Sequence, residues 1–301
     1  MSYNKKAVSH NDNNEEKLFE NKTINISVSK IGIYYSCSLY YFFNCILKIN
    51  KIRKFSFDHI ENGILVHFIM EQYFKYFNGC DIKEKIYEIA KEYLNKRFSS
   101  FFCNQRIEHI SKKYSIFLSK IVEKIINEMN KYGFSPKEFE KKFYRELYFE
   151  NDLKVKLIGK IDRIDSNKDN ECIILDYKTN DKRINLKNIK NGTNIQSLVY
   201  LNLLENENLK KFGFFNLLCK SGKELDNILT GFSTKDIFKD DNIEYIGEEE
   251  LNDIIDYSNV LIKKMAEDIF KGTIYERPRF FKEGFLRCEN CEYKKICKLY
   301  E

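Results

Sequence analysis

Asp162, Asp176 and Lys178 lie at the ends of two apolar segments within LKVKLIGKIDRIDSNKDNECIILDYKT, residues 153–179. Apolar runs on either side of a polar turn are expected to form neighbouring β-strands. Such pairing sets an acid on one strand beside an acid on the next, with a lysine two residues further on. Carboxylates are hard oxygen donors suited to Mg²⁺ or Mn²⁺, and the lysine ammonium is a compact point charge. A divalent ion at such a place can make a water nucleophilic and relieve charge on phosphoryl oxygens. Hydrolysis at phosphorus is the chemistry this set can support.

A second constellation carries different chemistry. In CENCEYKKIC, two residues separate Cys288 from Cys291, and Cys297 follows after five more. Clustered cysteines flanked by Lys point to thiolates on a metal or cluster. Zinc and iron–sulfur centres both accept four thiolates, so ligand chemistry leaves the two open. No fourth cysteine lies nearby, so it must come from far away in the chain.

Composition sets the context for both. The 301 residues are 43% apolar, enough for a sizeable core. With only 12 Gly and 2 Pro, the chain favours long helices and ordinary strands over a turn-rich all-β fold. The net charge of +6 permits binding to a polyanion and equally describes a solvated mixed-charge surface. No apolar run reaches the roughly 18 residues of a membrane span, and the N-terminus is polar where a signal peptide would be apolar. A cytoplasmic protein without membrane association is expected, and there the nine cysteines are expected as thiols.

The elements that must position these residues can be taken in order. Residues 1–25 are expected as a flexible tail, the first 22 being polar and aperiodic. Ser29 can cap a helix beginning near Lys30 that carries Cys37, with Cys45 in the same aromatic region; on chemistry alone either cysteine suits a core. A basic stretch holds Lys48, Lys51, Arg53 and Lys54. Gly63 then opens a helix with Leu65, Phe68 and Ile69 on one face and His67 within it; by itself His67 reads as a partly buried histidine with a local partner. Residues 82–130 read as two long amphipathic helices, and 82–135 as a helical insertion. Their lysine-rich faces could line a nucleic-acid path or be merely solvated. From 136 the period becomes that of two strands joined near Asn151 and Asp152, with Glu146 and Glu150 on the first. After the central segments come a basic connection (Lys182, Arg183, Lys187, Lys190) and a helix from about 193 to 204, with Gln196 and Tyr200 one turn apart. A strand is expected over 211–219, a strand pair or irregular chain over 222–245, and an amphipathic helix to about residue 271 with Gly272 beyond its end.

Taken together and in order, these motifs resemble the RecB-like and AddB-like nucleases of the PD-(D/E)XK superfamily, including the CRISPR-associated adaptation nucleases. The family signature is a helical histidine, GxxDRxD, a strand with (D/E)xK, and QxxxY on the next helix. This chain has His67, GKIDRID at Gly159–Asp165, DYK at Asp176–Lys178 and QSLVY at Gln196–Tyr200. The iron–sulfur branch adds one early cysteine and three late ones; SKIGIYYSCSLYYF places Cys37 at the early position, with Ser38 where the family usually has proline. The likeness covers about residues 26–299.

The resemblance implies an α/β fold: a restriction-endonuclease-like core of a mixed β-sheet flanked by helices, in one domain over 26–301. It implies a [4Fe–4S] cluster on Cys37, Cys288, Cys291 and Cys297 that staples the tail, residues 279–299, onto Cys37. It also implies a metal site of His67, Asp162, Asp176 and the Tyr177 carbonyl. Lys178 would orient water or steady the phosphate, with Gln196 and Tyr200 positioning the reactants. Arg163 suits either a phosphate or a salt bridge to Asp165. Glu150 suits either a supporting acid or a surface carboxylate. Cys45, Cys80, Cys103, Cys172 and Cys219 read as packing or surface residues. The implied activity is Mg²⁺- or Mn²⁺-dependent DNA hydrolysis, exonucleolytic, on single strands or free ends, in repair or recombination. The chain carries no G-x-x-x-x-G-K-[ST] phosphate loop, so a helicase motor would be a separate partner. Three other functions compete with this one: a non-catalytic or partner-dependent DNA-binding subunit, a CRISPR spacer-acquisition nuclease, and a structural zinc protein. The intact Asp162, Asp176 and Lys178 weigh against a vestigial site.

Overall fold

A computed structural model of the chain describes residues 23–49, 56–77, 81–150, 153–180, 184, 189, 192, 194–204, 210–219, 228–236, 242–274, 288 and 291–297. The tail expected over 1–22, Lys51, Arg53 and Lys54, Cys80, the turn at Asn151 and Asp152, Lys182, Arg183, Lys187 and Lys190, and residues 279–287 lie outside these.

The central strand is β4, Glu171–Lys178, whose interior is buried on both sides. Cys172 and Ile174 enter one core, and Ile173, Leu175 and Tyr177 enter the other. Period-2 alternation produces this split, and a strand apolar on both faces needs a layer on each. Beside it lies β3, Lys154–Ser166, antiparallel, which in turn pairs with the long antiparallel strand β2, Ser135–Tyr148. On the other side come β5 (Lys210–Leu218, parallel to β4), β6 (Leu229–Ser233, antiparallel to β5) and β7 (Ile243–Tyr245, parallel to β6). The described residues within 222–245 thus include two short strands.

One strand is new. Thr23–Ser27 forms β1, parallel to β3 from Thr23↔Lys154 to Ser27↔Ile158, so Thr23–Asn25 belong to the sheet and not to the tail. Its only core anchors are Ile24 and Ile26, too short an alternation to read without its distant partner. The described residues thus form a seven-stranded mixed sheet.

Helices cover the two faces. One layer holds α1 (Val28–Ser36), α6 (Gln196–Leu204) and α7 (Glu248–Phe270). The other holds α3 (His59–Tyr76), α4 (Ile82–Phe98) and α5 (Asn104–Lys131), the last two being the pair expected over 82–130. No described helix is long and apolar enough to cross a membrane.

Two helix starts differ from expectation. α1 begins at Val28 and stops at Ser36, because Cys37 is extended (φ −158°, ψ 106°); α2, Ser38–Tyr41, and a π-helical turn, Phe42–Ile46, follow. α3 begins four residues before Gly63, because the Asp58 side chain accepts the Ile60 and Glu61 N–H groups at 2.9 and 3.1 Å. An aspartate cap of this kind sets a helix start more firmly than an internal glycine.

The described part of the C-terminal tail docks on α2 and the π-helical turn. The Tyr293 ring is buried against Tyr40 and Phe43, with centroids 5.0 and 5.2 Å apart, and its hydroxyl donates to the Ile49 carbonyl at 2.6 Å. Tyr40 donates to Glu292 at 2.7 Å.

Candidate active site

β3 and β4 part company beyond the Arg163↔Leu175 pair. The Tyr177 peptide is thereby left for side chains. Its N–H donates to Asp162 Oδ2 at 2.9 Å, and its carbonyl lies 2.9 Å from His67 Nε2. His67 comes from α3, which crosses this end of the sheet, and its Nδ1 is 3.3 Å from Asp162 Oδ2. Burial works against the charged imidazole, but the Asp162 carboxylate outweighs it and holds the His67 pKa above its ordinary value. Burial likewise penalises the Asp162 anion, yet His67 and the Tyr177 N–H keep its pKa below the usual carboxylate range.

Asp176 is nearly fully buried, and Lys178 Nζ pairs with its Oδ2. Burial pushes the Asp176 carboxyl up; Lys178 opposes that and the charge of Asp162 adds to it. Gln196 Nε2 lies 3.4 Å from Asp176 Oδ1 and donates to the Tyr200 hydroxyl at 2.9 Å. The one-turn spacing on α6 thus forms a chain from tyrosine to carboxylate. Burial raises the Tyr200 pKa, so its hydroxyl stays protonated. A small cavity of about 40 Å³ lies beside Asp176, Lys178 and Gln196. Gly159 serves this arrangement sterically: a Cβ there would stand 2.3 Å from the Phe143 ring, which packs edge-on against Tyr200 with centroids 5.3 Å apart.

Glu140 on β2 joins the site without a motif to announce it. Its carboxylate and the ligand atoms of His67 and Asp162 all lie within 4.8 Å of one another, whereas Asp176 stands outside this tightest group. The cause is a local break in alternation. Phe143 and Ile161 pack into the α1/α6/α7 core, but Phe139 packs into the α3–α5 core and Arg163 lies on Phe74 of α3. Strict period-2 would keep Phe139 and Phe143 on one face, as it would Ile161 and Arg163. The switch falls at Glu140, which stands between the pairs Phe139↔Arg163 and Lys141↔Ile161, opposite Asp162, with φ +49°. A left-handed non-glycine residue inside a strand is costly, and such strain gathers at functional sites. Glu140 also pairs with Lys160, and both line a cleft of about 440 Å³ with His67 and Glu71. The signal lay in FEKKF, where two phenylalanines four residues apart enter different cores although the sequence reads as one alternating strand.

Other candidates sort by their contacts. Arg163 makes a two-point ion pair with Asp165, both bonds 2.5 Å, at 1% and 0% exposure; it is committed to the core and not to phosphate. Glu150 is a surface carboxylate, with a side chain 86% exposed and 3.7 Å from Lys263. On α4 and α5, Lys85, Lys91 and Lys124 pair with Glu88, Glu108 and Glu128.

The cysteines fall into two groups. Cys172 and Cys219 are buried packing residues and Cys103 is exposed, as expected. All eight described cysteines are free thiols, so no disulfide among them ties the tail to the body; Tyr293 and Glu292 make the contacts seen. Cys37 nevertheless faces that tail. Its sulfur caps α2 by accepting the Tyr40 N–H at 3.4 Å. Burial pushes its pKa up, and the nearby thiols of Cys291 and Cys288 add to the rise. Cys288 is pushed up in turn by burial and by Cys291 and Cys297.

The sequence profile of the PD-(D/E)XK nuclease superfamily matches residues 25–298. Among curated proteins, an ATP-dependent helicase/deoxyribonuclease subunit from Clostridium tetani is 27% identical over 94% of this chain and 30% of its own length. Its counterpart from Clostridioides difficile is 25% identical over 94% of this chain and 31% of its own. The chain therefore spans less than a third of the length of the curated relatives it matches. The crystal structure of SSO0001 aligns over 94% of this chain and 91% of its own, with a TM-score of 0.38 and 15% identity.

Proposed function

The chain belongs to the PD-(D/E)XK nuclease superfamily, and from that premise we propose that it hydrolyses DNA phosphodiester bonds with a Mg²⁺ or Mn²⁺ ion. The substrate is proposed as single strands or free ends, cut exonucleolytically in repair or recombination, with a separate helicase or other repair protein as partner. One observation carries the assignment: two buried carboxylates, Asp162 and Asp176, share a site with His67, the Tyr177 carbonyl and Lys178.

The donor set fits a hard divalent ion. Burial first, and then the charge of Asp162, hold the Asp176 pKa up, and a bound cation would relieve both. His67, Asp162, Asp176 and the Tyr177 carbonyl would hold the ion, with Glu140 as a further acid. When bound, the ion supplies charge relief on the phosphoryl oxygens and makes water a better nucleophile. Lys178 holds the attacking water or a phosphate oxygen with its ammonium. Gln196 holds Asp176 in place, and Tyr200, kept protonated, steadies Gln196.

Glu140 offers a direct test. Glu140→Gln should raise the metal concentration needed for half-maximal cleavage by about 10- to 100-fold, the usual effect of losing a supporting acid. Glu140→Gly should lose metal affinity in the same way while stability stays within about 1 kcal/mol of wild type, because glycine adopts φ +49° without strain. Metal titrations of cleavage and urea melts of the three proteins read both effects. An unaltered metal requirement in both variants would remove Glu140 from the site.

We also propose that Cys37, Cys288, Cys291 and Cys297 hold a [4Fe–4S] cluster that fastens the docked tail. The support is that Cys37 lies near enough to Cys291 and Cys288 for their charges to add to the rise of its pKa, in a place where Tyr293 already brings the tail to α2. Protein purified without air should be brown and contain iron, and Cys291→Ser should be colourless. Stoichiometric zinc in a colourless wild-type protein would replace the cluster with a zinc site.

A further inference from the structure

Among the described residues, the stretch of β2 and β3 before Asp162 is left without a covering helix on the face opposite the α1/α6/α7 core. On β3, Leu153, Val155 and Leu157 are buried, while Lys154, Lys156, Ile158 and Lys160 point the other way and are half-buried or exposed. Opposite them on β2 the same face carries Lys142, Tyr144, Glu146 and Tyr148, in the register Tyr148↔Lys154, Glu146↔Lys156, Tyr144↔Ile158 and Lys142↔Lys160. Tyr144 and Tyr148 are 68% and 71% exposed, the largest values among the described large hydrophobic residues. Lys156 Nζ sits 4.7 Å from the Tyr144 ring centroid, and Lys154 Nζ 5.3 Å from that of Tyr148.

The face has a direction. Its last outward residue is Lys160, which pairs with Glu140 and lines the same cleft as His67. From Lys154 to Asp162 a strand runs about 26 Å, so the rings and cations form a track that ends at the candidate active site. Lys154 is offset by Glu146 at 2.8 Å, but among the described residues Lys142 and Lys156 meet no carboxylate within salt-bridge distance.

We propose that this face is a binding track for single-stranded nucleic acid, with bases stacking on Tyr144 and Tyr148 and backbone phosphates meeting Lys142, Lys156 and Lys160, so that a strand end is delivered into the cleft beside His67. Exposed rings alternating with ammonium groups match single-strand chemistry, since unpaired bases offer π-faces and a phosphate at every step. A duplex keeps its bases stacked inside and would use only the lysines. The proposal rests on the nuclease assignment for its direction, not for the binding itself.

The test is a binding measurement on the full chain in EDTA, where no turnover is needed. A labelled oligothymidylate and a duplex of equal length serve as probes. Tyr144→Ala/Tyr148→Ala is expected to weaken oligothymidylate binding by about tenfold per ring and duplex binding far less. The Tyr→Phe pair should bind as wild type, since it keeps both π-faces, and both side chains are too exposed for either pair to disturb the fold. Lys142→Ala and Lys156→Ala should each lower the salt slope of single-strand binding by about 0.7. Unchanged oligothymidylate affinity in the double alanine variant, or an equal loss on duplex, would overturn the track. So would retained DNA affinity with loss of binding to a second protein. Whether wild type cleaves DNA where Lys178→Ala does not is read separately with Mg²⁺ or Mn²⁺ and tests the nuclease assignment alone.

Discussion

Lys178→Ala is expected to lower the rate of DNA hydrolysis by about 10²- to 10⁴-fold, the range for loss of a positioned acid–base or charge-stabilising group. The residue lies at the mouth of the site, 23% exposed, and its ammonium meets Asp176 rather than core side chains, so the fold should survive the truncation. The loss has two parts. The water or phosphate oxygen loses its cation, and Asp176 loses the neighbour that opposes its upward shift, so the carboxylate is harder to ionise. Cleavage of end-labelled single- and double-stranded DNA should therefore fall in both Mg²⁺ and Mn²⁺, and extra metal should restore only the second part. Lys178→Arg should remain impaired, because a planar guanidinium does not replace a compact ammonium at a fixed position. Near wild-type cleavage by Lys178→Ala would defeat the assignment of this centre as hydrolytic.

The second large effect concerns stability. Asp165→Ala is expected to cost about 3–5 kcal/mol, because it leaves the fully buried Arg163 guanidinium without its anion. Arg163 also lies on the Phe74 ring at 4.0 Å, so the pair ties β3 to α3, the helix that carries His67. Its pKa stays raised despite burial because Asp165 sits against it. Replacing both partners with apolar residues of similar size, as in Arg163→Met/Asp165→Leu, should recover much of the loss, since no charge is then stranded. Urea denaturation of the three proteins measures this directly. If Asp165→Ala keeps the wild-type midpoint, the pair is not structural and Arg163 returns as a candidate phosphate contact. The GKIDRID motif thus divides its labour: Asp162 faces the candidate metal site, while Arg163 and Asp165 hold the floor beneath it.

Much of this was legible from local pattern. The apolar runs on either side of a polar turn identified two neighbouring strands, and their ends placed Asp162, Asp176 and Lys178 together. The one-turn spacing of Gln196 and Tyr200 was enough to put them on one face, and the contact between them followed. These features depend on neighbours two to four residues away, and the chain specifies such neighbours wherever a strand or helix forms. A single sequence does not specify what meets across the sheet. β1 exists only because Ile24 and Ile26 find β3 more than a hundred residues later. The early helix breaks at Cys37 where periodicity would have carried it on, and the tail's position rests on Tyr293 finding Tyr40 and Phe43.

The site repeats the division. Asp162, Asp176 and Lys178 were determined by the sequence, because their positions follow from strand period and a short turn. Whether Arg163 served phosphate or core was decided only by burial, since a guanidinium and a carboxylate two residues apart suit either role in an extended chain. Glu140 was decided wholly by tertiary structure. Its place beside His67 and Asp162 needs a left-handed residue, a face switch in two paired strands and a helix crossing above them. Local propensity disfavours that backbone state for glutamate, and only the surrounding packing can hold it.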